Sequence, residues 1–400
     1  FREFMLLLLL FTAVSAGDPE SKMTSPEIIE YWGYPVVIYH VVTGDGYILE
    51  LHRIPHGRND SSANCRPVAF FQHGLLADSA MYISNPANGS APFIFADAGF
   101  DVWLGNFRGN TYSTNHTTLS PLNPAFWNFT WDAMAREDLD AMISKVLNIT
   151  EQESVYYIGH SQGTMTIFSK LSYDQDFTQK VKMVFAMGPI GTLRYISGFL
   201  GFLATYFGRI AEPFFNLFGY SSFLPDTFIT QLYAETVCSN SVGDDICAQL
   251  FILLGGENTT QFNKSRTDVY NAHFPMGTST LNMAHFIELT YTQGLIRYDY
   301  GLPLANKAIY GISPPPSYNL SNIATDIYLY SSEQDVLVTP DNVAYLVSEL
   351  NPEYLKGHTV LTGYNHFDFA WGIDAPQDIY EPIIETIKKN LGGVIACVAS

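Results

Sequence analysis

Positively charged side chains are scarce in this 400-residue chain. It carries 20 Lys and Arg against 39 Asp and Glu, which gives a formal net charge of −19 with neutral histidines. Such a surplus of acid repels the phosphates of nucleic acids and of anionic lipids, because attraction to phosphate supplies most non-specific affinity for them. We therefore expect no nucleic-acid partner.

Cysteines and long apolar runs are also few. The four cysteines show no Cys and His spacing typical of zinc ligation, so we expect no metal site. Cys238 and Cys247 are close enough in sequence to close a small disulfide loop, whereas Cys65 and Cys397 receive no assignment. The uncharged stretch 195–208 is shorter than the ~20 residues that span a bilayer, so we expect a core helix or a lipid-facing segment there, and no transmembrane segment.

The amino terminus is typical of a secretory signal. A short apolar run is followed by the small residues Val14, Ser15 and Ala16, which predicts a signal peptide at residues 1–16. Eight Asn-x-Ser/Thr sequences add to this, because such sites receive glycans in the secretory pathway. We expect a secreted or lysosomal destination, with glycosylation at Asn59, Asn88, Asn115, Asn128, Asn148, Asn258, Asn263 and Asn319.

The order of apolar runs predicts an α/β fold. Two β-rich runs at 36–43 and 47–54 flank a Gly-Asp-Gly turn, which indicates a hairpin. Short apolar runs then alternate with helical patterns such as 131–146 and 164–171, which is typical of a parallel sheet covered on both faces. These runs lie at 68–71, 102–104, 155–158, 181–187, 327–330 and 359–361.

The alternation of strands and helices stops between about residues 189 and 316. This segment is rich in Phe, Tyr and Leu and lacks the strand spacing found on either side. We therefore predict an α/β core at 17–188 and 316–400, with a mainly helical insertion at 189–315 that caps the sheet.

The sequence VYYIGHSQGTMTI, residues 155–167, predicts a nucleophile. A serine on a sharp strand-to-helix turn exposes its hydroxyl above the sheet edge, and the strained backbone needs small neighbours. Gly159 and Gly163 provide them around Ser161, with a predicted strand before and a helix after. We predict that Ser161 is a catalytic nucleophile; an ordinary glycine-rich turn is the alternative.

A serine hydroxyl needs a base that is oriented by a carboxylate, and in this fold the chain order is serine, acid, histidine. Asp335 follows the next-to-last predicted strand and is the expected acid, with Glu333 as the nearest rival and Asp341 as a weaker one. His366 follows the last strand and is the expected base. His358 precedes that predicted strand, so we expect it at the wrong end of the sheet.

Two backbone N–H groups must stabilise the oxyanion, one after the nucleophile and one in the loop after an early strand. Gln162 provides the first, and Leu75, which follows Gly74, is the predicted second. His73 lies beside this loop. We expect it to hold the loop by hydrogen bonding and not to act as the base.

Several longer stretches form one pattern: QHGLL at 72–76, DVWLGNFRGNTYS at 101–113, GHSQG at 159–163, the spacing of Cys238 and Cys247, AHFPMGTSTLNMAHF at 272–286 and YNHFDFAWGIDAP at 364–376. Together they resemble the acid lipases, the family of gastric lipase and lysosomal acid lipase, from roughly Thr24 to Lys389. Phe107 stands where the family often has a small polar residue, and the tail GGVIACVAS has no counterpart that we recognise.

The resemblance implies an α/β-hydrolase fold with a movable lid. It implies hydrolysis of triacylglycerols or cholesteryl esters, with a neutral-lipid substrate at a lipid–water interface. It also assigns Ser161, Asp335 and His366 to a catalytic triad, and Leu75 and Gln162 to the oxyanion hole, in agreement with the choice made from the residues alone.

We expect acyl transfer through an acyl-enzyme on the serine, with no cofactor. A sequence pI near 4.7 favours an acidic working pH, because repulsion from anionic lipid then fades. One alternative is a carboxylesterase or thioesterase acting on smaller esters, against which the apolar cap argues. The other is a non-enzymatic lipid carrier or storage protein, against which the intact triad argues.

Overall fold

A computed structural model describes residues 18–59, 65–198, 201–202, 221–225, 248–249, 251–257 and 259–393. The predicted signal peptide, the Cys238 and Cys247 pair, Cys397, Asn258 and most of the stretch 195–208 lie outside the described residues, so these predictions stay predictions. Cys65, which the sequence left unassigned, is disulfide-bonded. Within the described ranges no helix is long and apolar enough to cross a membrane.

The fold is built on a sheet of nine described strands, in the order β1-β2-β4-β3-β6-β7-β10-β11 with β5 paired to β2. The hairpin pair and the β2–β4 pair are antiparallel, and every pair from β4 to β11 is parallel. A second, two-stranded sheet joins β8 and β9. The strands are β1 (Val37–Val42), β2 (Tyr47–Ile54), β3 (Val68–Gln72), β4 (Asp101–Gly105), β5 (Asn115–His116), β6 (Val155–His160), β7 (Val181–Met187), β8 (Ser222–Phe223), β9 (Thr278–Ser279), β10 (Asp326–Ser332) and β11 (Leu355–Leu361).

Helices cover both faces of the main sheet. They are α1 (Ser25–Tyr31), α2 (Ala91–Asp97), α3 (Trp131–Ala133), α4 (Leu139–Thr150), α5 (Gln162–Tyr173), α6 (Thr267–Ala272), α7 (Thr280–Glu288), α8 (Pro303–Tyr310), α9 (Pro340–Glu349), α10 (Asp368–Trp371) and α11 (Glu381–Asn390). Short 3₁₀ turns lie at Pro19–Lys22, Ser79–Tyr82, Ala87–Gly89, Pro124–Trp127, Phe177–Lys180, Lys264–Arg266 and Leu320–Asn322. Two π-helical turns lie at Met134–Asp138 and Pro376–Tyr380.

The central strands are apolar on both sides because the sheet separates two cores. Along β6, Tyr156 and Ile158 pack into the core under α1, α2, α10 and α11. Val155 and Tyr157 pack into the opposite core, which α4, α5 and α9 cover. Burial on both faces explains the unbroken apolar runs in the sequence, and the predicted mostly parallel α/β fold is confirmed.

One predicted strand start was wrong. β11 begins at Leu355, four residues before the predicted start at 359. His358 therefore lies within the strand, where its Nε2 is 2.7 Å from the Ser331 hydroxyl of β10. Partly buried and exposed residues alternate in the first half of this edge strand. The sequence there contains no continuous apolar run that would mark the start of the strand, because an edge strand needs none.

The helix predicted at 131–146 is interrupted. Five residues, Met134–Asp138, form a π-helical turn between α3 and α4. This turn presents the Asp138 carboxylate to Arg108, whose Nη2 lies 2.6 Å from it, and Asp45 binds the other side of the guanidinium. The guanidinium also lies 3.9 Å from the centre of the Tyr47 ring. Burial raises the pKa of Asp138 to about 6, against the lowering effect of Arg108.

Replacing Arg108 with methionine is expected to destabilise the fold. It leaves Asp138, which is fully buried, without its cation. Breaking a buried pair in this way costs about 3–5 kcal/mol of unfolding free energy. Denaturant unfolding followed by tryptophan fluorescence measures this loss. Arg58→Met is the matched control, because the Arg58–Asp97 pair is exposed and contributes little; equal stability of the two variants would contradict the prediction.

Candidate active site

Ser161 sits on a strained turn between β6 and α5. Its backbone has φ 53° and ψ −115°, a conformation that is uncommon for residues other than glycine. A side chain at Gly163 would come within 2.4 Å of the Gln72 carbonyl oxygen, and one at Gly159 within 3.0 Å of the Gly163 backbone. Gly163 therefore lets the turn pass close to β3, and Gly159 lets the turn pack against its own backbone at the carboxyl end of β6.

The predicted acid and base meet above the carboxyl ends of the strands. His366 Nδ1 lies 2.8 Å from Asp335 Oδ2, and both side chains are almost completely buried. The other oxygen of Asp335 accepts hydrogen bonds from the backbone N–H groups of Leu337 and Val338. The carboxylate is thus fixed in orientation, and it holds the proton of the neutral imidazole on Nδ1.

The segments that carry Ser161 and His366 are joined through His160, the residue before the serine. His160 Nε2 lies 2.8 Å from the His366 carbonyl oxygen, and the two rings are 4.8 Å apart. In the described part of the chain no hydrogen bond joins the Ser161 hydroxyl to His366. Catalytic hydrogen bonds are often long before substrate binds, so the prediction that His366 is the base for Ser161 stays a prediction.

The two predicted oxyanion donors belong to segments that lie next to the serine. Gln162 is the first residue of α5, and Leu75 follows Gly74, at which a side chain would come 3.1 Å from Ser161 Cβ. The adjacent Leu76 has φ 58°, and its carbonyl accepts a hydrogen bond from Met276 N at 2.7 Å. This loop is therefore attached to the segment that we predict as the cap.

His73 makes the contacts expected of a residue that supports the oxyanion loop. Its Nδ1 lies 2.8 Å from the Gly74 carbonyl, and Phe107 N donates to its Nε2 at 3.1 Å. Burial lowers the pKa of His73 to about 4. The ring is consequently neutral near neutral pH, and Phe107 packs edge-on against it.

Sequence reasoning missed Asn282 and Gly188. Asn282 of α7 donates to the Gln162 side-chain oxygen at 2.9 Å and accepts from Trp131 N at 2.6 Å, which fixes the residue after the nucleophile. A side chain at Gly188 would come 3.1 Å from the His366 ring. The motif at 272–286 was the available signal for Asn282, but a motif does not state which neighbour a side chain contacts.

The two alternative candidates for the acid form no hydrogen bond with His366 in the described part of the chain. Glu333 is exposed, and Asp341 lies in the first turn of α9. Among the described residues no group of three or more His, Cys, Asp or Glu side chains is arranged to hold a metal ion.

Of the predicted glycosylation sites, Asn263 is partly buried, and the exposed ones are Asn59, Asn88, Asn115, Asn128, Asn148 and Asn319.

The chain is similar to known lipases over nearly its whole length. Residues 67–373 match the α/β hydrolase fold family, and residues 25–86 match the partial α/β-hydrolase lipase region. It is 48% identical over 385 residues to lipase lipl-5 of Caenorhabditis elegans, covering 95% of each chain. It is 41% identical over 399 residues to the lysosomal acid lipase/cholesteryl ester hydrolase of Homo sapiens, covering 97% of this chain and 98% of that one. It is 39% identical over 383 residues to the human gastric triacylglycerol lipase, covering 95% of each chain.

Solved structures with low sequence identity share the fold. The epoxide hydrolase VrEH1 of Vigna radiata matches with a TM-score of 0.50 at 14% identity, covering 88% of this chain and 98% of that one. DcsB, in complex with its substrate analogue, matches with a TM-score of 0.53 at 15% identity, covering 90% and 100%. At these identities the likeness concerns the fold alone.

Proposed function

The chain belongs to the acid lipase family of α/β hydrolases, and from this premise we propose that it hydrolyses the carboxylic esters of neutral lipids, triacylglycerols or cholesteryl esters, through an acyl-enzyme on Ser161. The observation that carries the proposal is the buried hydrogen bond between His366 and Asp335 beside a serine on a strained strand-to-helix turn. A carrier or storage protein has no need of this arrangement.

The proposed acylation starts with proton transfer from the Ser161 hydroxyl to His366. Nδ1 of the imidazole faces Asp335, so Nε2 is the nitrogen that accepts the proton. The serine oxygen attacks the ester carbonyl, and the backbone N–H groups of Leu75 and Gln162 stabilise the negative charge on the carbonyl oxygen. The protonated His366 then donates its proton to the leaving alcohol, and the acyl group stays on the serine.

Deacylation repeats these steps with water as the nucleophile. His366 takes a proton from water, the hydroxide adds to the acyl carbonyl, and the serine leaves with the proton from His366. The free fatty acid is the second product. These steps need no cofactor, because the imidazole moves the protons and the backbone N–H groups stabilise the charge.

The lipid substrate is supported by the apolar surface of the region that we propose as cap, residues 189–315. Its described part exposes large apolar side chains at Tyr195, Phe202, Leu224, Leu302, Leu304 and Ile309. Exposed apolar surface of this kind is typical of contact with lipid or with another protein. We propose that this region meets the lipid–water interface and that its movement admits the ester.

Long-chain emulsified esters are expected to be better substrates than short soluble ones. The test measures fatty-acid release from emulsified triolein and cholesteryl oleate, and from a dissolved short-chain ester, at acidic and neutral pH. We expect kcat/KM to be at least ~10-fold higher for the emulsified esters, because each additional buried CH₂ contributes about 0.8 kcal/mol of transfer free energy.

The same experiment separates the alternative functions. A higher rate on the dissolved ester would indicate an esterase or thioesterase on small substrates. Lipid binding without release of fatty acid would indicate a carrier. We also propose the secretory pathway as the location, with a secreted or lysosomal protein as the product, since relatives are named as gastric and lysosomal lipases.

A further inference from the structure

A short segment within the predicted cap contacts both loops that carry the acid and the base. We call residues 255–257 and 259–262 the return segment. The Gly255 carbonyl accepts the His366 backbone N–H at 3.1 Å and lies 3.5 Å from the Val336 nitrogen, next to Asp335. A side chain at Gly256 would come within 2.2 Å of the Gln334 carbonyl, so the segment packs directly on the acid loop.

The return segment is also bonded to the loop that follows β11. Thr260 N donates to the Gly363 carbonyl at 3.0 Å, and Phe262 pairs with Gly372 as an isolated β-bridge. Movement of the return segment therefore displaces the residues on both sides of His366.

Asp368, two residues after the base, links these parts through its side chain. Its Oδ2 accepts hydrogen bonds from the Thr259 hydroxyl at 2.5 Å and from Asn365 N at 2.6 Å. The Asn365 side-chain oxygen in turn accepts the N–H groups of Phe367 and Asp368. The Asp368 side chain is completely buried, and its Oδ1 has no hydrogen-bond partner among the described residues.

The surroundings of Asp368 favour its neutral form. Burial is the main cause that raises the pKa of Asp368 to about 7; the hydrogen bonds from Thr259 and Asn365 oppose this shift, and the carboxylate of Asp335 adds to it. Tyr270 of α6 also faces this carboxyl group. Within the described chain no lysine or arginine forms an ion pair with Asp368. The other titratable groups on elements around it are His160, His366, Asp78, Tyr82, Tyr364, Asp374 and Tyr380.

We propose that Asp368 is a positioning residue for His366: its neutral carboxyl group holds the return segment against the histidine loop, and its ionisation loosens that contact. The proposal rests on the lipase function proposed above for the reaction it affects, but the hydrogen bonds that carry it do not depend on the substrate. His366 then faces a single carboxylate, that of Asp335, as long as Asp368 is neutral.

The sign of the pH effect follows from the proton balance. The ordinary pKa of an Asp carboxyl is 3.8, and that of Asp368 in the folded protein is about 7. Between these values the folded chain holds a proton that the unfolded chain has released. The stability contributed by this group is fully present below pH 3.8 and is lost as the pH rises through about 7. Ionisation strengthens the hydrogen bonds from Thr259 and Asn365, but it also buries a negative charge with one unpartnered oxygen close to Asp335, and this larger cost favours opening of the loop.

Asp368→Asn separates the charge from the hydrogen bonds. The amide oxygen accepts from Thr259 and Asn365 as the carboxyl does, and the group cannot ionise. We expect wild-type kcat to fall above pH about 7. One pH unit above this pKa, an acid is ~10-fold more ionised than neutral. At that pH we expect the variant to retain a ~10-fold larger fraction of its kcat at acidic pH than the wild type does, with KM little changed. Identical pH profiles for the two proteins would overturn the proposal.

Asp374→Asn is the matched control. Asp374 is exposed and accepts a hydrogen bond from Gln261 of the same return segment at 2.9 Å. It thus binds the segment without being buried beside Asp335, and we expect its variant to keep the wild-type pH profile. A shift of the same size in both variants would assign the effect to general loosening and would also overturn the proposal.

Thermal unfolding gives a readout that needs no activity. The Tm of Asp368→Asn minus that of the wild type is expected to increase as the pH rises from about 4 to about 8. If the wild-type protein hydrolyses no ester, the proposed function fails while this difference still tests the role of Asp368. A pH-independent difference would refute it.

A second variant covers the case in which Asp368→Asn does not fold. Thr259→Val removes a hydrogen bond that favours the ionised carboxyl, and it preserves the Asn258-x-Thr260 glycosylation sequence. We expect a lower kcat at every pH, because one contact of the return segment is lost, and we expect the remaining activity to be lost on the alkaline side at higher pH than in the wild type. An unmoved or lowered alkaline limb would contradict the proposal.

Discussion

Replacing Ser161 with alanine is expected to abolish ester hydrolysis and to leave the fold intact. The variant lacks the oxygen that carries the acyl group, and loss of a nucleophile in such a triad lowers kcat by about 10⁴–10⁶-fold. The residual rate would come from the oxyanion donors and from substrate binding. Fatty-acid release from emulsified triolein, normalised to the amount of folded protein, measures the effect.

Ser169→Ala serves as the matched control for this experiment. Ser169 lies on α5, two turns beyond the nucleophile, and it is fully buried with no partner for its hydroxyl in the described part of the chain. We expect wild-type activity from it. Both variants should unfold at similar temperatures, because alanine at position 161 has the same positive-φ cost as serine. Retained activity in Ser161→Ala would remove the proposed mechanism.

Asp335→Asn is expected to lower kcat by about 10⁴-fold with little effect on KM. Asp335 Oδ1 accepts hydrogen bonds from two backbone N–H groups, so in the variant the amide oxygen must occupy this position. The amide NH₂ then faces His366 Nδ1, which becomes an acceptor, and the imidazole proton moves to Nε2. A histidine protonated on Nε2 cannot accept the serine proton.

Glu333→Gln tests whether any nearby carboxylate suffices. Glu333 lies two residues before Asp335 but is exposed, so we expect its variant to keep wild-type kinetics. The comparison is made with kcat and KM on emulsified triolein, and circular dichroism checks the fold. Similar losses of kcat in both variants, or a loss confined to Glu333→Gln, would contradict the assignment of Asp335 as the acid.

The predicted cap and the proposed role of Asp368 extend the candidate site beyond the predicted triad. Met276 N binds the oxyanion loop, and Gly255 O binds the histidine loop. Both contacts come from the segment between β7 and β10. We therefore expect movements of this segment that admit substrate to act on the oxyanion donors and on the base together.

Local features of the sequence were sufficient for the fold class and for the candidate triad. The glycines around Ser161 are required because the turn approaches β3, and such a steric need is visible in the residue types themselves. Asp335 and His366 could be chosen from chain order, because parallel strands deliver their following loops to one edge of the sheet. The strands β3, β6 and β7 were visible as mainly apolar runs because both faces of the sheet are covered.

The tertiary structure alone decided which distant groups meet. Asn282 reaches Gln162 across 120 residues, Asp368 binds Thr259 across 109, and Arg108 pairs with an aspartate on a π-helical turn. The His358 error has the same origin, since an edge strand has no unbroken apolar run to mark its start. Local propensity and periodicity report what each residue does within its own element. The hydrogen bonds and burial that set the pKa of Asp368 and the orientation of Gln162 arise only when elements far apart in sequence pack together.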